Sequence, residues 1–329
     1  MKLRPELQAL RCEDAPQRLV QARLAEATLG WAQASGLAKA EAELARLSAG
    51  AELEDLPTLA GLFTPGDPAA RDLVEGLVEV QAAQLRDQPL GQVTLRHSID
   101  EATSVLSLAR SGTATLTLQA VDGAALARRE RVQTAGFSPT ETWSRVIAGK
   151  ADAEIVRIVS ERPGGAELRC EPVQLMPETI SHRLGASEVL QLRSIPTSLV
   201  TLTLQRRIGE GAVRREFLLS DGTLVHQAAG SPRDSRIELS LALLGRMGRS
   251  DAAPLLAVMA EEEAALSLRW QALRECLGLD TATGFATLER IARREADPLA
   301  AAAGALRAQL LETYPQLADV AREDQPCLG

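Results

Sequence analysis

Apolar positions in residues 1–89 recur every three or four residues. Leu19, Ala22, Leu24, Ala27 and Trp31 share one side of a helix, and Leu37, Ala40, Leu44 and Leu47 share one side of the next. Ser48-Ala49-Gly50 ends that second helix, because glycine accepts the left-handed conformation of a helix C-terminus. Thr64-Pro65-Gly66-Asp67-Pro68 then breaks the pattern. Asp67 is placed to cap a third helix, with Pro68 at its first position and Leu73, Leu77, Val80 and Leu85 along its apolar side.

From Leu90 the period shortens. Val93-Thr94-Leu95, Thr113–Leu118, Ile155–Val159, Val200–Leu204 and Glu216–Leu219 alternate or cluster as strands do. Arg162-Pro163-Gly164-Gly165 marks a turn, and Asp221-Gly222 between two apolar runs predicts a hairpin. Many short strands with close turns predict an antiparallel sandwich or jelly roll over residues 90–232.

Residues 233–329 return to helical spacing. Arg236, Leu244, Gly245 and Leu255 are echoed by Arg269, Leu277, Gly278 and Leu288. The stretch Ala242–Leu256 resembles a HEAT-type repeat, in which paired helices bury their faces by stacking. An ordinary helical bundle fits the same pattern. The expected fold class is α+β: a helical domain at 1–89, a β domain at 90–232 and a helical domain at 233–329.

Composition narrows the function classes. The 329 residues are 45% hydrophobic but only 2% aromatic, so the core is built from aliphatic side chains and offers few stacking platforms for bases or sugars. A formal net charge of -8 disfavours nucleic acid and anionic membrane. The acidic residues weight both ends of the chain, and the middle is near neutral. Cys12, Cys170, Cys276 and Cys327 are scattered without CxxC spacing and read as reduced structural thiols. No apolar leader or membrane-length run is evident, which places the expected location in the cytoplasm.

Pro177 and His182 fit the proline and histidine of the second motif of the cupin jelly rolls. Glu171, Thr179 and Ala186 stand where that motif has two glycines and an asparagine. Gly149 resembles the closing glycine of the first motif. Its glutamate then falls at Thr142, one residue from Glu141, and its two histidines fall near Thr134 and Gly136. The middle segment therefore resembles a cupin that lacks most metal ligands. The resemblance implies a barrel and, for cupins that hold a metal, about three imidazoles and often a carboxylate around a divalent transition metal. Here it offers His182 and Glu141. His97 and His226, the other two histidines of the chain, also lie in the strand-rich segment and are candidate ligands.

Ligand-pocket candidates without metal are Trp143, Arg206, Arg207, Arg214 and Arg215, since the paired arginines flank one hairpin and suit an anionic ligand or acidic partner. Phosphate-binding glycine loops and GxSxG elbows are absent. The expectation is a non-catalytic binding or adaptor protein with no cofactor, whose helical segments make protein contacts. A divergent metal-dependent cupin-type enzyme (an oxygenase or isomerase) and a small-molecule-binding barrel are the alternatives. By analogy with cupins, a homodimer is expected.

Overall fold

The computed structural model describes residues 13–88, 90–209, 213–229 and 232–318. Cys12 and Cys327 lie outside them. The fold is α+β: N-terminal helices, a central antiparallel sheet region and C-terminal helices. The chain forms two compact units. One runs to Ile208 and includes Phe217–Thr223, and the other takes Gly209–Glu216 and the chain from Leu224 onward. The sequence boundary expected at residues 89 and 90 falls inside the first unit. No described helix is long and apolar enough to cross a membrane.

The first unit opens with helices α1 (Ala15–Ala34), α2 (Leu37–Ser48), α3 (Pro57–Leu62) and α4 (Ala69–Asp87). Gly50 follows α2 at φ 103°, as the capping argument requires. The N-cap of α4 is Pro68, one residue later than expected, and Asp67 just before it accepts from the Ala69 amide at 2.9 Å.

The strands are β1 (His97–Ile99), β2 (Thr103–Ser111), β3 (Ala114–Asp122), β4 (Thr134–Phe137), β5 (Thr140–Gly149) and β6 (Ala151–Arg162). They continue as β7 (Gly165–Leu175), β8 (Ile180–Leu184), β9 (Glu188–Ser194), β10 (Ser198–Arg207), β11 (Val213–Leu218) and β12 (Leu224–Ala229). A short helix, α5 (Gly123–Ala127), follows β3. A six-stranded antiparallel sheet has the order β1-β2-β3-β10-β5-β8, and a three-stranded sheet has the order β7-β6-β9.

Val93-Thr94-Leu95 is not a strand. Its polar groups are used elsewhere: the Thr94 hydroxyl bonds that of Thr28 at 2.9 Å, and the side chain of Gln21 bonds the Gln92 backbone. Leu95 packs on the helical core. The Asp221-Gly222 turn forms as expected, with Gly222 at φ 71° and its amide donating to the Leu218 carbonyl at 2.9 Å.

The six-stranded sheet is covered on both faces. One face carries Leu108, Leu116, Trp143, Leu202 and Leu204 into a core shared with Trp31, Leu44, Leu59 and Leu77 of the helices. The other face turns toward the three-stranded sheet. Val121, Val146, Ala153, Leu175 and Leu199 close one end of the space between them.

Arg145 of β5 pins the helices to the sheet. Its buried guanidinium donates to the carbonyls of Leu62 at 3.1 Å, Thr64 at 3.2 Å and Asp67 at 2.7 Å, and it pairs with Glu178. Glu178 occupies the left-handed region, at φ 71°, in a Met176–Thr179 turn closed by the Thr179 amide on the Met176 carbonyl. Pro177 at the second position and positive φ at the third make this a type II turn. The cupin motif puts a glycine one residue later, at Thr179.

The second unit contains α6 (Pro232–Arg246), α7 (Ala253–Glu261), α8 (Leu266–Leu279), α9 (Thr281–Arg293) and α10 (Ala300–Thr313). Leu256, Leu273, Phe285, Leu288 and Ile291 form its core. Leu244 and Leu277 are both half-buried, but two of the other echoed pairs differ in environment. Leu288 is fully buried and its counterpart Leu255 is 60% exposed. Arg269 is buried against Asp297, whereas Arg236 has no such partner among the described residues.

Candidate functional site

The pleat decides which residues of β5, β8 and β10 can reach a ligand, because successive side chains point to opposite faces. In β5, Thr140, Thr142, Ser144 and Val146 face the space between the sheets. Glu141, Trp143 and Arg145 face the helices. The register carries this parity across the sheet. Gln205 lies opposite Thr142, which lies opposite Arg183, and Thr203 lies opposite Ser144, which lies opposite Ser181.

Two polar rows therefore cross the lumen, Gln205-Thr142-Arg183 and Thr203-Ser144-Ser181. Gln119 and Thr201 continue the polar lining, and Val121, Val146, Leu175 and Leu199 make an apolar end. The lumen encloses about 310 Å³. Its polar groups bond one another. Ser144 and Ser181 hydroxyls are 2.9 Å apart, the Gln205 amide donates to Thr142 at 3.1 Å, and Arg183 Nη1 donates to Ser181 at 2.6 Å.

Arg183 is the cation of this lumen and Glu188 its carboxylate. Burial pushes the Arg183 pKa below its usual value, and the charge of Glu188 opposes that shift. The two make no salt bridge. Glu188 is instead held by Arg157, whose Nε donates to it at 2.7 Å, and Arg157 also pairs with Glu171.

The candidate residues His182, Glu141, Trp143 and Arg206 do meet, on the opposite face. His182 Nε2 donates to Glu141 Oε1 at 2.8 Å, and Arg206 Nε donates to Glu141 Oε2 at 2.6 Å. The His182 ring stacks on Trp143 with centroids 4.9 Å apart, and the Arg206 guanidinium lies 5.7 Å from a Trp143 ring centre. Arg206 also donates to the carbonyls of Leu47 and Ala51. This cluster joins the sheet to the end of α2.

The remaining candidates are dispersed. His97 is exposed on β1, with Nδ1 3.0 Å from the Leu95 carbonyl. His226 belongs to the second unit. Arg207 follows Arg206 in the first unit and does not line the lumen. Arg214 and Arg215 belong to the second unit. No group of three His, Cys, Asp or Glu side chains is arranged to hold a metal among the described residues.

The donor set of the lumen does not fit the metal that the cupin resemblance implies. Hydroxyls, amides, one guanidinium and one carboxylate line it, with no imidazole or thiol among the lining residues. Of the positions expected to carry metal ligands, Gly136 and Thr142 face inward but are not ligand residues, and Thr134, Glu141 and His182 do not line the lumen. Nor is Cys276 a nucleophile. Burial first, then the charge of Asp280, pushes its thiol up to about 11, and it is closed in against the Ala253 carbonyl.

Sequence reading did not identify Arg183, Ser144, Ser181, Thr203 or Gln205, and it met Thr142 only as the position of a cupin glutamate. A signal was present in the alternation: Thr140-x-Thr142-x-Ser144, Ser181-x-Arg183 and Thr201-x-Thr203-x-Gln205 place a polar residue at every second position.

No family model matches the chain, and no curated protein matches it. Solved structures similar to it include cupin-superfamily proteins, over about a third of its length. An ectoine synthase from P. lautus is 9% identical over 34% of this chain and 68% of its own, with a TM-score of 0.23. KdgF from a Halomonas species is 14% identical over 34% and 84%, with a TM-score of 0.24. A cupin superfamily protein from Desulfitobacterium hafniense is 14% identical over 34% and 83%, with a TM-score of 0.23.

Proposed function

We propose that this chain is a binding protein that takes a small polar molecule between its two sheets without a metal. The observation that carries this reading is the hydroxyl- and amide-lined lumen of about 310 Å³. That volume sits at the small end of ligand pockets, which run from about 300 to 1,000 Å³. Its lining is more polar than that of most such sites, and Val121, Val146, Leu175 and Leu199 supply an apolar end. The cluster at His182 and Glu141 acts as structure, because Glu141 is already bonded on both oxygens.

Native mass spectrometry of the gently purified protein tests this. A small organic molecule should be retained by the wild type and lost when Thr203→Phe fills the lumen. A bare chain that no low-molecular-weight cell extract stabilises would oppose the reading.

A second reading, the adaptor role, is supported by one feature of the helical unit. Leu239 and Leu243 of α6 and Met247, one residue past its end, recur at i, i+4 and i+8, and all three are exposed. Such a stripe suits a protein contact, including one between two copies. Sedimentation equilibrium tests the self-contact. Wild type should associate and Leu243→Glu should weaken that association. A wild type that stays monomeric at every concentration removes it.

A further inference from the structure

We infer that the lumen ligand carries a carboxylate and that Arg183 binds it. This rests on the lumen being the binding site. Arg183 is held only by neutral groups. Its Nη1 donates to Ser181 at 2.6 Å and reaches Ser144 at 3.5 Å, and no carboxylate lies within salt-bridge distance among the described residues. Arg183 is only partly buried, and the two fully buried arginines of this unit differ from it. Arg145 pairs with Glu178 and Arg206 with Glu141. The lumen carboxylate nearest in kind, Glu188, is committed to Arg157.

A guanidinium partly withdrawn from water with no carboxylate bonded to it costs stability, and the charge of Glu188 offsets that cost only at a distance. The depressed pKa of Arg183 reports the same cost. Two serine hydroxyls satisfy part of its five donors but none of its charge. A ligand carboxylate would satisfy both, in the forked geometry that guanidinium favours. Ser144, Thr142 and Gln205 lie in register beside it to bond the rest of a small polar molecule. The lumen volume restricts that molecule to a small one.

The test measures the unfolding midpoint of the full chain with acetate, lactate and butanoate, against acetamide, lactamide and butanamide. Variants Arg183→Met and Arg183→Lys are compared with the wild type. Carboxylates should raise the wild-type midpoint by about 2–4 °C near saturation, and the amides should not. Arg183→Met should leave the ligand-free midpoint unchanged or higher, and should weaken carboxylate binding about 10–100-fold, as expected for a lost charge-assisted bond. Arg183→Lys should keep part of the preference.

A ligand-free Arg183→Met protein that melts several degrees lower would make Arg183 a structural residue and overturn the inference. Equal stabilisation by amides and carboxylates would overturn it while leaving the lumen as the binding site. The same division follows if no carboxylate acts but a low-molecular-weight cell extract still stabilises the wild type and not Thr203→Phe. If neither the probes nor the extract acts, both the carboxylate and the lumen reading fall.

Discussion

His182 donates to Glu141 at 2.8 Å from the helix-facing side of the sheet, while their chain neighbours Arg183 and Thr142 face each other in the lumen. A single step along each strand separates a hydrogen-bonded structural cluster from the lumen lining. The cluster is structural because Glu141 is buried and bonded at both oxygens, to His182 and to Arg206.

Removing Glu141 should therefore cost stability. Glu141→Ala leaves the Arg206 guanidinium buried, with two backbone carbonyls and the more distant Glu52 at 3.5 Å as its partners. Stripping one member from a buried pair costs about 3–5 kcal/mol. Glu141→Gln keeps an acceptor and should cost less, about 1–3 kcal/mol. Urea denaturation followed by far-ultraviolet circular dichroism and tryptophan fluorescence would read both. Equal, small losses would show that Arg206 is satisfied without the carboxylate.

His182 contributes a half-exposed ring, 51% accessible, stacked on Trp143. His182→Ala should cost about 1 kcal/mol, the size of one ring contact plus a partly solvated bond. It should leave the metal content of the purified protein unchanged in elemental analysis. One equivalent of a transition metal in the wild type that disappears in His182→Ala would instead restore His182 as a ligand.

Gly149 and Gly304 should respond oppositely to alanine. Gly149 ends β5 at φ 89°, and a Cβ there would sit 1.9 Å from the Ser198 carbonyl oxygen, so the backbone of β10 would have to move. Gly149→Ala should cost at least about 2 kcal/mol. Gly304 lies inside α10, and a Cβ there would meet nothing within 4 Å, so Gly304→Ala should stabilise by up to about 1 kcal/mol. Thermal melts of the two variants check the contrast.

The strands at Ile155–Val159 and Val200–Leu204 were legible because β-branched and leucine residues cluster there, and Asp221-Gly222 because only special residues take that turn. Val93–Leu95 has a similar composition, but its one polar side chain, Thr94, bonds Thr28 of α1. The site was harder to read for a geometric reason. A motif match locates a residue along the chain, but a strand places it on one face or the other, and His182 falls on the helix face while its neighbour Ser181 lines the lumen. Arg206 and Arg183 look alike as basic residues in strands. Only the register shows that Glu141 neutralises one and that the other lies in the lumen.

The helical unit should lose stability in acid through Asp297. Arg269 holds its carboxyl below the usual carboxylate range, and the Leu299 amide adds to this, while burial works against both. Because the folded pKa lies below the unfolded value, near 3.9, the contribution is complete above that value. It is lost as pH falls from there through the folded pKa. Asp297→Asn removes this term, and it also leaves Arg269 buried without its partner, so the variant should be less stable at neutral pH. The measurement is the unfolding free energy of both proteins between pH 7 and pH 2.5. The gap between them should stay constant at neutral pH and narrow below about pH 4. A gap that persists at the lowest pH would assign the loss to altered packing around Arg269, not to the charge of Asp297.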